Sequence, residues 1–170
     1  MDSALTVYKL IVLYLLDRSG EELSQSFISS FLLEKGYATL VSLMQTYDEL
    51  LSNGLISLGE NSGTDYYSIT SEGRETVVYF GSDLGKSIRE DADAFLKENG
   101  IRIRQEKEIT GEWYKRPSND YVAQLKAVEN GLPLVEISIS VPDAGSAEHV
   151  IDAWKKNNQE IYLELVKKLF

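Results

Sequence analysis

The sequence predicts an α+β fold in two parts: helices and a short hairpin over residues 1–80, then a three-stranded antiparallel sheet covered by a long C-terminal helix over 101–170, with a helical linker at 81–100. Three observations predict it. Apolar residues recur at steps of three and four from Leu5 to Leu51, and two short alternating runs flank a polar turn between Asn53 and Gly73. Val135, Ile137, Ile139 and Val141 alternate strictly with Glu136, Ser138 and Ser140, so that strand has one buried and one wet face.

Leu5 to Asp17 is apolar on nearly every face, the mark of a helix enclosed by the fold or shared with a second subunit, and Arg18-Ser19-Gly20 ends it. Ser24 can cap a helix to Glu34, with Phe27, Ile28, Phe31 and Leu32 inward and Gly36 in the left-handed position beyond its end. Thr39 can cap a third helix to Asn53. Its inner face is expected to hold Leu40, Leu43, Met44, Tyr47, Leu50 and Leu51, leaving Ser42, Gln45, Thr46, Asp48 and Glu49 outward. In the hairpin, Ile56 and Leu58 share a side, as do Tyr67 and Ile69, and Thr70 caps a helix to about Phe80. A helix-turn-helix with a β-hairpin wing is the simplest fold with this order of elements.

The "GSDLG" stretch at 81–85 breaks the helical pattern, and Ser87 and Glu90 have capping-box spacing for a linker helix ending at Asn99-Gly100. From Ile101 to Lys115 a long strand is expected, turned by "RPSND". Tyr121, Ala123, Leu125 and Ala127 alternate with more polar neighbours, and Asn130-Gly131 is a hairpin signal. Pro142-Asp143 opens the final helix, whose Ala147, Ile151, Trp154, Asn158, Ile161 and Leu165 recur at steps of four and three and must cover the sheet.

The chain has 170 residues and is 43% hydrophobic, ample for a packed core. Without Cys and with a single His it lacks the usual means for disulfides, zinc sites and thiol or imidazole catalysis, so no metal and no cofactor are expected and a reducing cytoplasm is the default. The apolar run Ala4 to Leu16 contains Lys9 and falls short of the roughly 18 residues a spanning helix needs, so no membrane partner is expected. Residues 1–80 hold four basic and eleven acidic side chains, a net of −7, and residues 81–170 hold thirteen and sixteen, a net of −3. The half with the shape of a DNA reader is therefore the more acidic one, the wrong sign for phosphate.

"YDELLSNGLI" followed by "YYSITSEGRE" resembles the third helix and wing of the PadR and MarR groups of bacterial transcriptional regulators, at Leu50, Gly54, Leu55, Ile56, Tyr67, Ile69, Thr70 and Gly73. Over its full length, with "KLIVLYLL", "FLLEKGY", "YYSITSEGR", "SIRE" and "WKKNNQEIY" in order, the chain resembles an uncharacterised bacterial family, domain of unknown function four-three-six-four. The resemblance implies a winged-helix N-terminal half, a C-terminal half without assigned chemistry and a regulatory role. The matched positions themselves have structural work: Gly54 ends a helix, Leu55 and Ile56 pack under the wing, Thr70 caps and Gly73 permits close packing.

The function this implies is a DNA-binding transcriptional regulator, with the third helix (39–53) in the major groove of double-stranded DNA and the wing (55–70) on the backbone. The contact candidates are Lys35, Tyr37, Thr39, Ser42, Gln45, Thr46, Asn61, Ser62, Thr64 and Arg74, with Gln45 foremost because an amide pairs bidentately with adenine. Arg18, Lys35 and Arg74 are the cations expected near phosphate, and a homodimer through the N-terminal and linker helices would double them. The alternative is a winged-helix module for protein–protein interaction or dimerisation that does not bind DNA. Basic charge on the third-helix face would favour DNA, whereas an acidic or apolar face would favour a protein partner.

An enzyme is not expected. His149 beside Glu148 reads as solvated, Glu106 and Glu108 as the wet side of a strand, and no phosphate-cradling glycine loop or nucleophile elbow is present. Trp113 and Trp154 read as core. Arg102, Arg104, Lys107, Lys115 and Arg116 are interleaved with Glu106, Glu108 and Glu112, which points to surface charge pairing along the first strand of the sheet.

Overall fold

A computed structural model describes residues 3–61, 63–129 and 131–170, the side chains of Ser3, Asn61, Ile101 and Gln105 excepted. The chain divides into two units, Met1–Ile103 and Arg104–Phe170. The first holds α1 (Ser3–Ser19), β1 (Leu23–Ser24), α2 (Gln25–Glu34), α3 (Leu40–Ser52), β2 (Ile56–Asn61), β3 (Thr64–Ile69), α4 (Ser71–Phe80), a 3-10 turn at Gly81–Asp83 and α5 (Lys86–Glu98). The division falls within α6 (Gly100–Glu108). The second unit holds β4 (Ile109–Lys115), β5 (Tyr121–Glu129), β6 (Leu132–Val141) and α7 (Ala144–Leu169). The protein is thus a mixed α/β chain with two three-stranded antiparallel sheets and a long C-terminal helix.

The core of the first unit forms around α1. Leu10 to Leu13, Leu15 and Leu16 are buried among Phe27, Phe31, Leu43, Leu50 and Phe95, with α3, α4, α5 and β3 packed on the helix. The all-round apolarity of α1 is therefore accounted for within the unit, without a second subunit to cover it. Local chemistry sets the helix limits as the sequence predicts. The Ser24 hydroxyl accepts the Phe27 N–H at 3.2 Å, Thr39 and Ser42 form a capping box, and Gly54, past the end of α3, has φ +68°. Thr70 accepts the Gly73 N–H at 3.1 Å and donates to Gly54 O at 2.7 Å, which ties the start of α4 to the end of α3. A Cβ at Gly73 would stand 2.2 Å from the Leu55 carbonyl oxygen, so only glycine permits this approach.

Several expectations need correction. A short β1 pairs Leu23 with Tyr67 and Ser24 with Tyr66, placing β3 in the centre of a β1-β3-β2 sheet and burying both tyrosines. Ser87 and Glu90 do not form a cap: Ser87 lies inside α5, whose N-cap is Gly85, two residues earlier, with no side-chain cap. Helix α5 is built into the first unit, its Phe95 ring 4.9 Å from Phe27 and 5.1 Å from Phe31. The expected strand from Ile101 is helical to Glu108. Arg102 and Glu106, and Arg104 and Glu108, stand four residues apart with opposite sign, and that spacing supports a helix over the weak alternation of Ile101 and Ile103.

In the second unit β5 is central, between β4 and β6. Its Ala123, Leu125 and Ala127 face Ala147, Ile151 and Trp154 of α7. Helix α7 lies over β4 and β5 and scarcely touches β6. Gly111 makes room for this: a Cβ there would stand 2.8 Å from Cγ2 of Ile151. Trp154 is core, as expected, with its indole N–H donating to Lys126 O at 3.3 Å. Trp113 is not; it is 39% exposed and lies against the Tyr121 ring.

Candidate interaction surface

Helix α3 buries Leu43, Thr46, Tyr47 and Leu50, positions spaced three and four apart on one arc. The Tyr47 hydroxyl lies 2.8 Å from that of Ser29 on α2, and its ring stacks on Tyr67 at 4.8 Å. Burial pushes the Tyr47 pKa up, so the hydroxyl stays neutral at working pH. With those residues inside, the arc facing solvent carries Val41, Met44, Gln45, Asp48 and Ser52, and Leu40 overhangs at the first turn. Leu40 is 61%, Val41 79% and Met44 38% exposed. The helix contains no Lys or Arg.

The expected contact residues are distributed as follows. Thr46 is fully buried and donates to Ser42 O at 2.6 Å, which removes it from any ligand face. Thr39 is exposed, but its hydroxyl and backbone N–H are engaged with Ser42 in the cap. Gln45 is exposed and donates to Glu49 at 3.3 Å. Glu49 also pairs with Lys9, and its pKa is lowered by that contact first and by the Gln45 bond as well. Lys35 stands 3.9 Å from Asp91 of α5, and the Tyr37 hydroxyl donates to the same carboxylate at 2.7 Å. Burial and that carboxylate raise the Tyr37 pKa. Thr64 is half-buried on β3, and Arg74 is exposed on α4 with no ion pair among the described residues. Ser62 lies outside the described residues, as does the side chain of Asn61.

Two of the three cations counted on for phosphate are thus held by α5: Lys35 by Asp91, and Arg18 by Asp93, whose Oδ1 lies 3.1 Å from Nε. Glu60 and Asp65 stand directly across the hairpin from each other. What α3 offers outward is an apolar centre with an acidic edge. Leu40, Val41 and Met44 lie outside the expected contact set; apolarity alone places Leu40 and Met44 on the inner face, and the structure leaves both exposed. The signal that could have found them is the dipeptide Leu40-Val41 directly after the Thr39 cap, two adjacent apolar residues that cannot both face inward on one helical arc.

Glu106 and Glu108 are on α6 and not on a shared strand face, and Arg102, Arg104 and Lys107 are on the same helix. Arg116 is paired with Asp120 at 3.1 Å. Among the described residues, no three His, Asp or Glu side chains converge as a metal site, and no helix is long and apolar enough to cross a membrane.

Fold and surface together define a class: a two-unit α/β chain with one three-stranded sheet in each unit, a long terminal helix and an apolar and acidic helix face exposed on the first. The family described as a domain of unknown function, DUF4364, matches residues 8–169, and the chain belongs to it. No curated protein and no solved structure matches the chain.

Proposed function

We propose that the N-terminal unit is a winged helix of the PadR and MarR kind that binds a partner protein through the outward face of α3, and not DNA. The observation that carries this reading is the exposed Leu40, Val41 and Met44 beside Asp48 on a helix without a cation. A helix in the major groove approaches two rows of phosphates, and the Asp48 carboxylate there is repelled. An apolar centre with an acidic edge is complementary to an amphipathic surface bearing Lys or Arg around aliphatic side chains. Residues 1–103 support this with eight basic and sixteen acidic side chains, a net of −8.

Two probes test it on the full chain. A labelled random-sequence duplex at about 50 mM salt is expected not to bind up to about 10⁻⁴ M protein. A synthetic amphipathic helix of Leu and Lys is expected to bind, and Val41→Ser to weaken it about tenfold through lost apolar contact with no change of charge. Duplex binding tighter than about 10⁻⁵ M that weakens linearly with log salt would overturn the proposal in favour of a DNA-binding regulator. Peptide binding indifferent to Val41→Ser would place the contact elsewhere.

A further inference from the structure

The geometry points to a second copy of this chain as the partner of β6: two β6 strands pair antiparallel about a two-fold axis, joining the C-terminal sheets into one six-stranded sheet. The strand lies at an edge in the order β4-β5-β6, so one side of its backbone is unpaired among the described residues. A bulge at Leu134, between the pairs Ala127–Val135 and Val128–Pro133, confines the irregularity to the start of the strand. From Val135 to Val141 the register with β5 is continuous over seven residues, "VEISISV". Edge strands are normally guarded by lysines, a proline or a mid-strand bulge. This run has one charge, Glu136, already 3.4 Å from Lys126 of β5, and no proline. The opposite edge, β4, carries Glu112 and Lys115 and lies with β5 beneath α7.

The strand is self-complementary. With the axis at Ile137, Ile137 faces its own copy and Val135 faces Ile139 of the second chain, while Glu136 faces Ser138. No like charges meet, and the apolar residues meet on one face. An axis normal to the sheet also sets both α7 helices on the same side. Because α7 leans away over β4 and β5, Ile139 on that face is left 39% exposed, while Ile137 is half-buried against the core beneath α7. The second β6 sets its own Val135, Ile137 and Ile139 beside these side chains on the same face. An isologous contact of this kind closes on itself at two subunits. It lies in a different unit from the α3 surface, so it stands or falls independently of the function proposed above.

Sedimentation analysis of the full chain across concentration is the test, paired with amide exchange of the wild-type protein. The expected result is a mass rising toward twice 19.1 kDa and exchange at the outward amides of residues 135–139, the run that pairs with itself about Ile137, that slows as protein concentration rises. Ser138→Glu, at an exposed position, sets a carboxylate opposite Glu136 of the second chain twice per dimer and should weaken association about tenfold. Ser138→Lys sets opposite charges there and should leave association as tight or tighter. A monomer at about 1 mM, unchanged exchange at 135–139, or equal response to the two substitutions would overturn the proposal.

Discussion

The hydroxyls of Ser29 and Tyr47 meet between α2 and α3, where neither has access to water, and each satisfies the other. Tyr47→Phe leaves Ser29 with a buried hydroxyl in need of a partner, and Ser29→Ala does the same to Tyr47. Each is expected to cost about 1–3 kcal/mol in urea unfolding. The double substitution should cost clearly less than the two single losses together, because the second change removes a group that the first left unsatisfied. Strict additivity would show that the pair is not coupled. Tyr47 was legible as inward from its spacing with Leu43 and Leu50. Its neighbour Thr46 was not, since a threonine can meet its own polar requirement by donating to the carbonyl one turn back and so pass into the core at little cost. Once Thr46 is inside, the buried arc is shifted and Met44 moves out. An error of about one position in the helical phase thus exchanged an expected polar reading face for an apolar one.

Helix α7 shows what capping contributes to a whole element. The Asp143 carboxylate accepts the Ser146 N–H at 2.7 Å, and its hydrogen bonds, the backbone one first, hold its pKa below the usual carboxylate value. A depressed folded-state value means that this stabilisation is complete above the unfolded value of about 3.9 and is lost as pH falls through the lower, folded one. Asp143→Asn keeps a capping side chain that does not titrate. The difference in unfolding midpoint between wild type and Asp143→Asn should therefore shrink as pH is lowered from about 5 to about 2, with a gap that persists at acid pH counting against an ionised cap. The elements that were legible in the sequence carry local signals of this kind: Ser24, Thr39 and Thr70 at N-caps, Gly36 and Gly54 after helix ends, strict alternation in β6. Those missed had weak local signals overridden by context. Two residues of β1 have no period to read, and α6 combines a strand-like start with helical charge spacing.

At the scale of the whole molecule, charge is divided unevenly. The first unit has eight basic and sixteen acidic side chains, whereas residues 104–170 have nine and eleven, a net of −2. Self-repulsion destabilises a compact state more the larger its excess charge and is screened by salt beyond about 10 Å at 0.1 M. Raising salt should therefore stabilise the first unit more than the second. The sequence supplies separate reporters, since both tryptophans, Trp113 and Trp154, are in the second unit while most helices are in the first. Tryptophan fluorescence follows the second unit alone, and circular dichroism at the helical band follows both. Thermal unfolding from about 20 to 200 mM salt is then expected to move the dichroism transition upward while the fluorescence transition stays nearly fixed. Should the two probes report one coincident transition that moves together at every salt concentration, the units unfold as a single cooperative body, and the acidic excess of the first is borne by both.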